Sequence, residues 1–528
     1  MKSFRKLTSL LLCLAMLAAL AACGSEQTAA TATVEEAASV TAEEAPDASV
    51  FVVDYSDIAV GTVNARASVH DPSIVEADGK YYIFGSHMTA AVSDNLRSWT
   101  SICNGYSEDN PVYAFIYDEE SGALDYTGSP DSVIPNSGIS VWAPDVIYNE
   151  AQGLWTMYYC TSSTFNGSTL CYATSESVEG PYVWQANLLY SGLTSETLPY
   201  TDVYDYVDEE TALATYVDAK DEYDYNNYPN CIDPTVFYDA DGRMWMVYGS
   251  FSGGIFILEI DEQTGLVIHP ETDTENGVDA YFGKKLLGGN HQSMEGPYIL
   301  WDEEAGYYYL YVSYGDLAKD YQIRCFRSEN PDGPYVDMNG VAPNGKGNAN
   351  YTGLKLSGNY ELPSVRLAYR ATGHNSALIS TDGKRYIAYH TRFVGNDNHS
   401  PRVKQYFLNE EGWPCMLPYA TDGETISETG YDISELAGRY YVVNQGITRD
   451  ENVAEPFILV LTELGNVFGE NITGTWTVTD GTCYVHLTYD GTEYSGVFCR
   501  MNDEAGTEVM TFTAVGNNAS VWGVCYGD

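Results

Sequence analysis

From residue 66 to about 420 the chain repeats one phrase: a polar anchor, a small turn, a β-rich run, an acidic glycine-containing hairpin signal and an aromatic β-rich run. The five copies read HDPSIVEADGKYYIFGS, WAPDVIYNEAQGLWTMYYCTSS, IDPTVFYDADGRMWMVYGS, EGPYILWDEEAGYYYLYVSYG and HNSALISTDGKRYIAYHTRF. Aligned on Pro72, Pro144, Pro234, Pro297 and Ser376 they are spaced by 72, 90, 63 and 79 residues, so the connections vary while the unit does not. Each copy alternates apolar and polar positions, is rich in Val, Ile, Tyr, Phe and Trp, and breaks at a turn signal such as Asp-Gly or Glu-Ala-Gly. That is the pattern of a β-hairpin.

Repeated antiparallel sheets of this kind hide their edges by radial repetition, so the expected fold is all-β, with a five-bladed β-propeller over residues 61–425. If the first strand of each unit is innermost, Asp71, Asp233, Glu295 and His374 converge at one mouth of the central channel. From about residue 430 the phrase stops, and shorter strands are expected around GRYYVVNQG, GTWTVTDGTCYVHLTYDGTEYSGVFC and EVMTFTAVG. Asp480-Gly481 and Asp490-Gly491 signal two tight hairpins there, and residues 430–528 are expected to form a small all-β barrel or sandwich that braces the propeller. Between the second and third copies, YTDVYDYVDEETALATYVDAKDEYDYNNY is an insertion that reads either as a wall for a binding groove or as a solvated loop.

At 528 residues the chain exceeds one ordinary hydrophobic core, which fits two folded domains. Its 74 Asp+Glu against 25 Lys+Arg give a formal charge of -49, which repels phosphate backbones and anionic lipid surfaces and argues against nucleic acid as a partner. The first residues read as an export signal: Lys2, Arg5 and Lys6, then an apolar run from Leu7 to Leu20 too short to span a bilayer. Leu20-Ala21-Ala22-Cys23-Gly24-Ser25 resembles a bacterial lipobox, which implies a signal peptide over 1–23, a lipid on Cys23 and contact with the membrane through that anchor alone. Residues 24–60, poor in large apolar groups over most of their length, are expected to be a flexible tether. The nine cysteines at 103, 160, 171, 231, 325, 415, 483, 499 and 525 form no CxxC pair, and their odd number argues against a disulfide framework or a zinc site.

Taken together, HDPS, IDPTVFYDADGRMW and MEGPY resemble glycoside hydrolase family 43, and within it the endo-acting 1,5-α-L-arabinanases. The resemblance covers about residues 66–420, and the terminal β domain is similar to the one that follows the propeller in larger arabinanases. It implies hydrolysis of arabinan or another pentose polysaccharide, with Asp71 as general base, Asp233 tuning the acid and orienting substrate, and Glu295 as general acid. Gly296 departs from the alanine more usual between the acid and its proline. The resemblance also places a calcium ion beside His374; one imidazole is a poor calcium ligand, so water would supply the other ligands. A second reading makes His374 a hydrogen-bond donor to the acid.

The chemistry of the residues agrees. Inverting hydrolysis needs a carboxylic acid to protonate the leaving oxygen and a carboxylate about 6.5–9.5 Å away to activate water on the opposite face. A third carboxylate near the acid raises its pKa by like-charge repulsion, a task suited to Asp233. Asp145 follows Pro144 where Asp71 and Asp233 precede theirs, and alternation turns it away from the site. Trp142 reads equally as a platform for a furanose ring or as a core side chain. Rival functions are an exo-acting arabinofuranosidase or β-xylosidase on the same fold, and a non-catalytic glycan-binding surface protein.

Overall fold

The computed structural model describes residues 43–344 and 350–527; the expected signal peptide, Cys23 and much of the expected tether lie outside the described residues. The first copy of the phrase forms a four-stranded meander, Ser73–Ala77, Lys80–Gly85, Thr89–Ser93 and Thr100–Cys103. Its opening hairpin turns on Asp78 and Gly79, whose φ values of 52° and 73° suit a two-residue turn twisted like the strands it joins. The second copy builds Val141–Asn149, Leu154–Thr164, Gly167–Ser175 and Val183–Tyr190. The third starts with Thr235–Tyr238, Met244–Tyr248 and Ile255–Ile260, and the fifth is built on Val365–Ile379, Arg385–Phe393 and Asn396–Leu408.

The sheets lie face to face in a propeller-like arrangement, because alternate side chains of each strand point to opposite neighbours. Tyr159 packs in the core shared with the first sheet, and adjacent Tyr158 in the core shared with the third. Met246 and Val247, and then Leu310 and Tyr311, divide in the same way between their neighbours. Tyr386 and Ala388 of the fifth copy meet Ile74 and Ile83 of the first.

The hydrogen bonding does not give five separate sheets for the five expected blades. Four copies form sheets of their own, whereas the fourth, Met294–Asp302, Tyr307–Tyr314, Gln322–Ser328 and Leu354–Ser357, heads a twelve-stranded sheet. The cause is one parallel contact, Lys355 with Ala519, which joins Leu354–Ser357 to the last strand, Ala519–Cys525. The remaining eight strands of that sheet, Gly438–Asn444 through Ala519–Cys525, close on themselves as a barrel around Leu459, Trp476, Val485, Phe498 and Phe512. Asp490 and Gly491 make the tight hairpin expected of them, but Asp480 and Gly481 sit inside a longer turn closed by Thr479 N–H to the Tyr484 carbonyl at 3.0 Å.

Two further expectations change. Residues 47–58, expected within the tether, lie on the barrel: Arg439 donates to the carbonyls of Val50 and Val52, and Ile58 packs with Tyr441 and Ile458. The insertion is more than a solvated loop, since it folds into the helix Glu209–Tyr216, capped by the Asp208 side chain, and buries Val203, Ala212 and Tyr216 between the second and third sheets.

Candidate active site

Asp71, Asp233, Glu295, His374 and Trp142, spread over five units of sequence, line one cavity of about 190 Å³, together with His70, Ser86, His87, Ile232 and Leu317. The local cause is a kink before each proline. Asp71, Ala143, Asp233 and Gly296 each precede a proline and take positive φ, 52°, 40°, 55° and 56°. A regular strand sends consecutive side chains to opposite faces. Here the kink lets both the residue before the proline and the one before that reach the cavity. Glu295 therefore occupies the position of Trp142 and Ile232, one step earlier than Asp71 and Asp233.

Asp71 is buried and surrounded by donors. Ser86 Oγ donates to Oδ2 at 2.5 Å, His374 Nδ1 lies 3.0 Å and His70 Nε2 3.2 Å from Oδ1, and the Asp71 N–H donates to His390 Nδ1 at 3.2 Å. Burial pushes the carboxyl pKa up, but His374 and His70 outweigh it and hold the group well below the usual carboxylate range. Asp71 is thus an anion. His374 is its counterpart: burial disfavours its charge, yet Asp71, Asp233 and Glu295 raise its pKa to about 9. Its ion pair is with the expected base and not the expected acid, which corrects the second sequence reading.

Asp233 and Glu295 behave oppositely to Asp71. Burial leads the upward shift of Asp233 to about 7, with Glu295 and Asp71 adding to it. Glu295 is also raised, again chiefly by burial, against the pull of His374 and of the hydroxyls of Tyr321 and Ser250. Like-charge repulsion contributes, but desolvation is the larger cause, a change from the sequence expectation. Ser250 Oγ donates to Glu295 Oε2 at 2.8 Å, and the Gly296 N–H donates to Asp233 Oδ2 at 3.1 Å. Glycine eases this backbone, which Asp71, Ala143 and Asp233 adopt as non-glycine residues, and a Cβ at Gly296 would press on the His374 ring at 3.1 Å. The arrangement holds in a single cavity one carboxyl that gives up its proton easily and two whose pKa burial raises, the electrostatic division that acid–base hydrolysis needs.

Trp142 borders this cavity and a second one of about 440 Å³, which Ile232 and Glu295 also share, so the groove continues past Glu295. Asp145 lies buried elsewhere, accepting Ser73 Oγ at 2.6 Å and the Val236 N–H at 2.7 Å; it ties the first three units together. Ser86, Ser250, His70 and His390 were not singled out from sequence. The serines carried a signal, since both end their phrase in Gly-Ser.

Ligand atoms of His70, His390 and His399 lie within 4.8 Å of one another. His70 and His399 stack face to face at 3.9 Å and 3°, which sets their in-plane lone pairs side by side instead of at one ion, and Arg392 already donates to His399 Nε2. His374 is better disposed as a ligand, its Nδ1 held by a carboxylate as in many metal-bound imidazoles. All nine cysteines of the described residues are free.

The family model for glycosyl hydrolases family 43 matches residues 206–414, and that for a C-terminal lipocalin-like domain matches 418–523. The first begins after Asp71 and Trp142 and spans Asp233, Glu295 and His374. Over 494 residues the chain is 35% identical to extracellular endo-α-(1→5)-L-arabinanase 2 of Bacillus subtilis, covering 90% of this chain and 96% of that protein. It is 36% identical over 479 residues to the extracellular endo-α-(1→5)-L-arabinanase of Thermotoga petrophila, covering 87% and 93%. The crystal structure of endo-1,5-α-L-arabinanase from Thermotoga petrophila superposes with a TM-score of 0.75 at 34% identity, over 88% of this chain and 99% of that one. A family 43 glycoside hydrolase from Bacillus licheniformis gives 0.75 at 36%, over 88% and 99%.

Proposed function

The chain belongs to glycosyl hydrolases family 43, and from that premise we propose that it is an endo-acting glycoside hydrolase that cleaves α-1,5-L-arabinofuranosidic bonds of arabinan with inversion. The observation that carries this reading is the meeting of Asp71, Asp233 and Glu295 in one cavity whose groove runs on past Glu295. A groove open beyond the acid accepts an internal segment of polymer. The relatives named extracellular endo-arabinanases, which this chain matches over most of its length, support the same substrate.

In this mechanism Asp71, kept ionised by His374, His70 and Ser86, takes a proton from water as that water attacks the anomeric carbon. Glu295, whose pKa burial raises, donates its proton to the departing glycosidic oxygen. Asp233 receives the Gly296 N–H beside the acid and holds that segment of backbone in place. Trp142, between the two cavities, offers a ring face for a furanose. Calcium, if bound, would use the remaining nitrogen of His374 with water oxygens, and would supply positive charge near Asp71. Its binding requires loss of the His374 proton, so it competes with the ion pair. Addition of a chelator and then calcium, read by activity and thermal melting, tests it.

The blade count belongs to the same proposal. Five is supported by five copies of the phrase and by the core that joins the fifth copy to the first. So does the division into a signal peptide over 1–23, a tether, a catalytic domain over about 61–425 and a terminal β domain over about 430–528. Export, lipidation at Cys23 and attachment to the cell surface rest on the residues before 26, and mass spectrometry of the mature N-terminus tests them.

Reducing-sugar release from debranched linear arabinan, wild type beside Glu295→Ala, tests the function. Activity lost in the variant, with oligomers as early products, is expected. Monomer from the start would make the enzyme exo-acting, and a wild type silent on every pentose polymer would overturn the enzymatic reading.

A further inference from the structure

Beyond Glu295 the groove is bounded by rings that the catalytic reading does not use. Two facing loops support them, with positive φ at Phe251 (47°), Ser252 (27°), Asn290 (52°) and His291 (56°). Non-glycine residues sit in this region at a cost, and persist there where surrounding contacts fix them. Here the Phe251 N–H donates to the Met294 carbonyl at 2.7 Å, the His291 N–H to Ser252 at 2.9 Å, and the Asn290 N–H to Asn226 at 3.0 Å. The last of these ties the insertion between the second and third copies to the same loops.

The rings centre on His291, whose centroid lies 4.9 Å from Phe165, 5.4 Å from Phe251 and 5.7 Å from Tyr225. Phe165 and Phe251 line the 440 Å³ cavity that Glu295 shares, and Asn230 Nδ2 fixes the Phe165 carbonyl at 3.0 Å. Phe165, in the cavity lining, is 65% exposed, and Tyr225, 37% exposed, is joined to it through His291. Such faces suit the C–H surface of a sugar. Asp224, next to Tyr225 in the chain, adds negative charge there, which favours a neutral chain over an anionic one.

We propose that Tyr225, held in place by His291, is the outer platform of a distal subsite that binds sugar units of a neutral chain remote from the scissile bond, and that the insertion thereby gives this protein a preference for long substrates. The inference rests on the arabinan reading above. Tyr225 touches only remote units, so it acts on binding of long chains. His291 is a positioning residue that acts through the rings around it.

The test compares the wild type, Tyr225→Ala, His291→Ala and His291→Phe, as the chain from residue 26 onward, on short and long linear α-1,5-arabino-oligosaccharides and on arabinan. Tyr225→Ala is expected to leave kcat/KM on the shortest cleaved oligomer unchanged and to lower it about 5- to 10-fold on long chains, the loss appearing in KM, as befits one stacking contact. His291→Ala should give the same length-dependent loss, and His291→Phe, which keeps a ring, should restore long-chain binding. An equal loss on short and long chains, or none on long ones, would overturn the inference while leaving the function intact. A wild type that cuts no arabinose chain of any length would overturn the substrate reading and this inference with it.

Discussion

Ser250→Ala is expected to widen the pH range of activity on its alkaline side. The Ser250 hydroxyl donates to Glu295 Oε2 at 2.8 Å and so stabilises the ionised form, opposing the upward shift that burial imposes. Hydrogen bonds to charged groups contribute about 1.5–3 kcal/mol, so loss of the bond removes about that much stabilisation of the ionised form and raises the Glu295 pKa further. Tyr321 and His374 still favour the anion, which places the effect near the lower end of that range. Glu295 must be protonated to act, so activity falls as pH rises through its pKa. A higher pKa moves that alkaline limb to higher pH, while the acid limb, set by Asp71, stays where it was. The assay is kcat/KM on linear arabinan as a function of pH, with intact folding checked by melting temperature. A limb that stays in place or moves to lower pH would refute the assignment of Glu295 as the acid that Ser250 holds down.

Gly296→Ala adds a Cβ 3.1 Å from the His374 ring at a φ of 56°, and the left-handed backbone alone costs about 1–2 kcal/mol; arabinan hydrolysis should fall about tenfold or more while the variant still melts cooperatively. Asp145, with a folded pKa of about 7 against 3.8 for the free group, binds its proton more tightly in the native state, so its contribution to stability declines as pH rises from about 4 to about 7. In Asp145→Asn that decline is absent, and the melting temperature of the variant relative to wild type should rise across the same window. Lys404 Nζ is buried without a hydrogen-bond partner, 4.6 Å from the Tyr360 ring and 4.2 Å from the Trp522 ring. Lys404→Met removes a desolvated amine worth about 1–3 kcal/mol, and melting should move up; a fall would mean that the ring cage holds a charged lysine.

What sequence could reveal here followed from locality. The anchors Asp71, Asp233, Glu295 and His374, and with them Trp142, open their strands within a few residues of a turn, so pattern alone brought them to one mouth. The alternation rule turned Asp145 away from the cavity, and its carboxylate accepts from Ser73 and the Val236 N–H. The same rule hid the one-residue offset between Asp71 and Glu295, because positive φ before the proline interrupts alternation, and positive φ at Ala143 or Asp233 has no signature in the residue type. The fused twelve-stranded sheet rests on a contact between Lys355 and Ala519, far apart in the chain and unmarked by any local periodicity. Docking of residues 47–58 depends on Arg439 reaching backbone carbonyls, which every residue offers, so composition could only read that stretch as a tether.

A residue in the last part of the second strand of each unit, or just past it, helps to explain why the leading residues differ in charge state on so uniform a scaffold. Ser86 accepts the Ala143 N–H of the second unit at 2.8 Å, and Cys160 receives the backbone N–H of Asp233 in the third. Ser250 donates to the Glu295 carboxylate of the fourth, Ser313 Oγ accepts the His374 N–H of the fifth at 2.7 Å, and His390 accepts the Asp71 N–H of the first. Each unit thus fixes the leading segment of the next, and the fifth returns to the first. Where the end residue reaches only backbone, it sets geometry; where it is a hydroxyl that reaches the carboxylate, as Ser86 reaches Asp71 and Ser250 reaches Glu295, it also sets protonation. Asp71 gains His374 and His70 as well and its pKa falls, whereas Glu295 and Asp233 have weaker compensation for their burial and their pKa values rise. The proposed base and acid thus differ in their surroundings at neighbouring places of a repeated unit, and exchanging those surroundings would be expected to move the proton without moving the backbone.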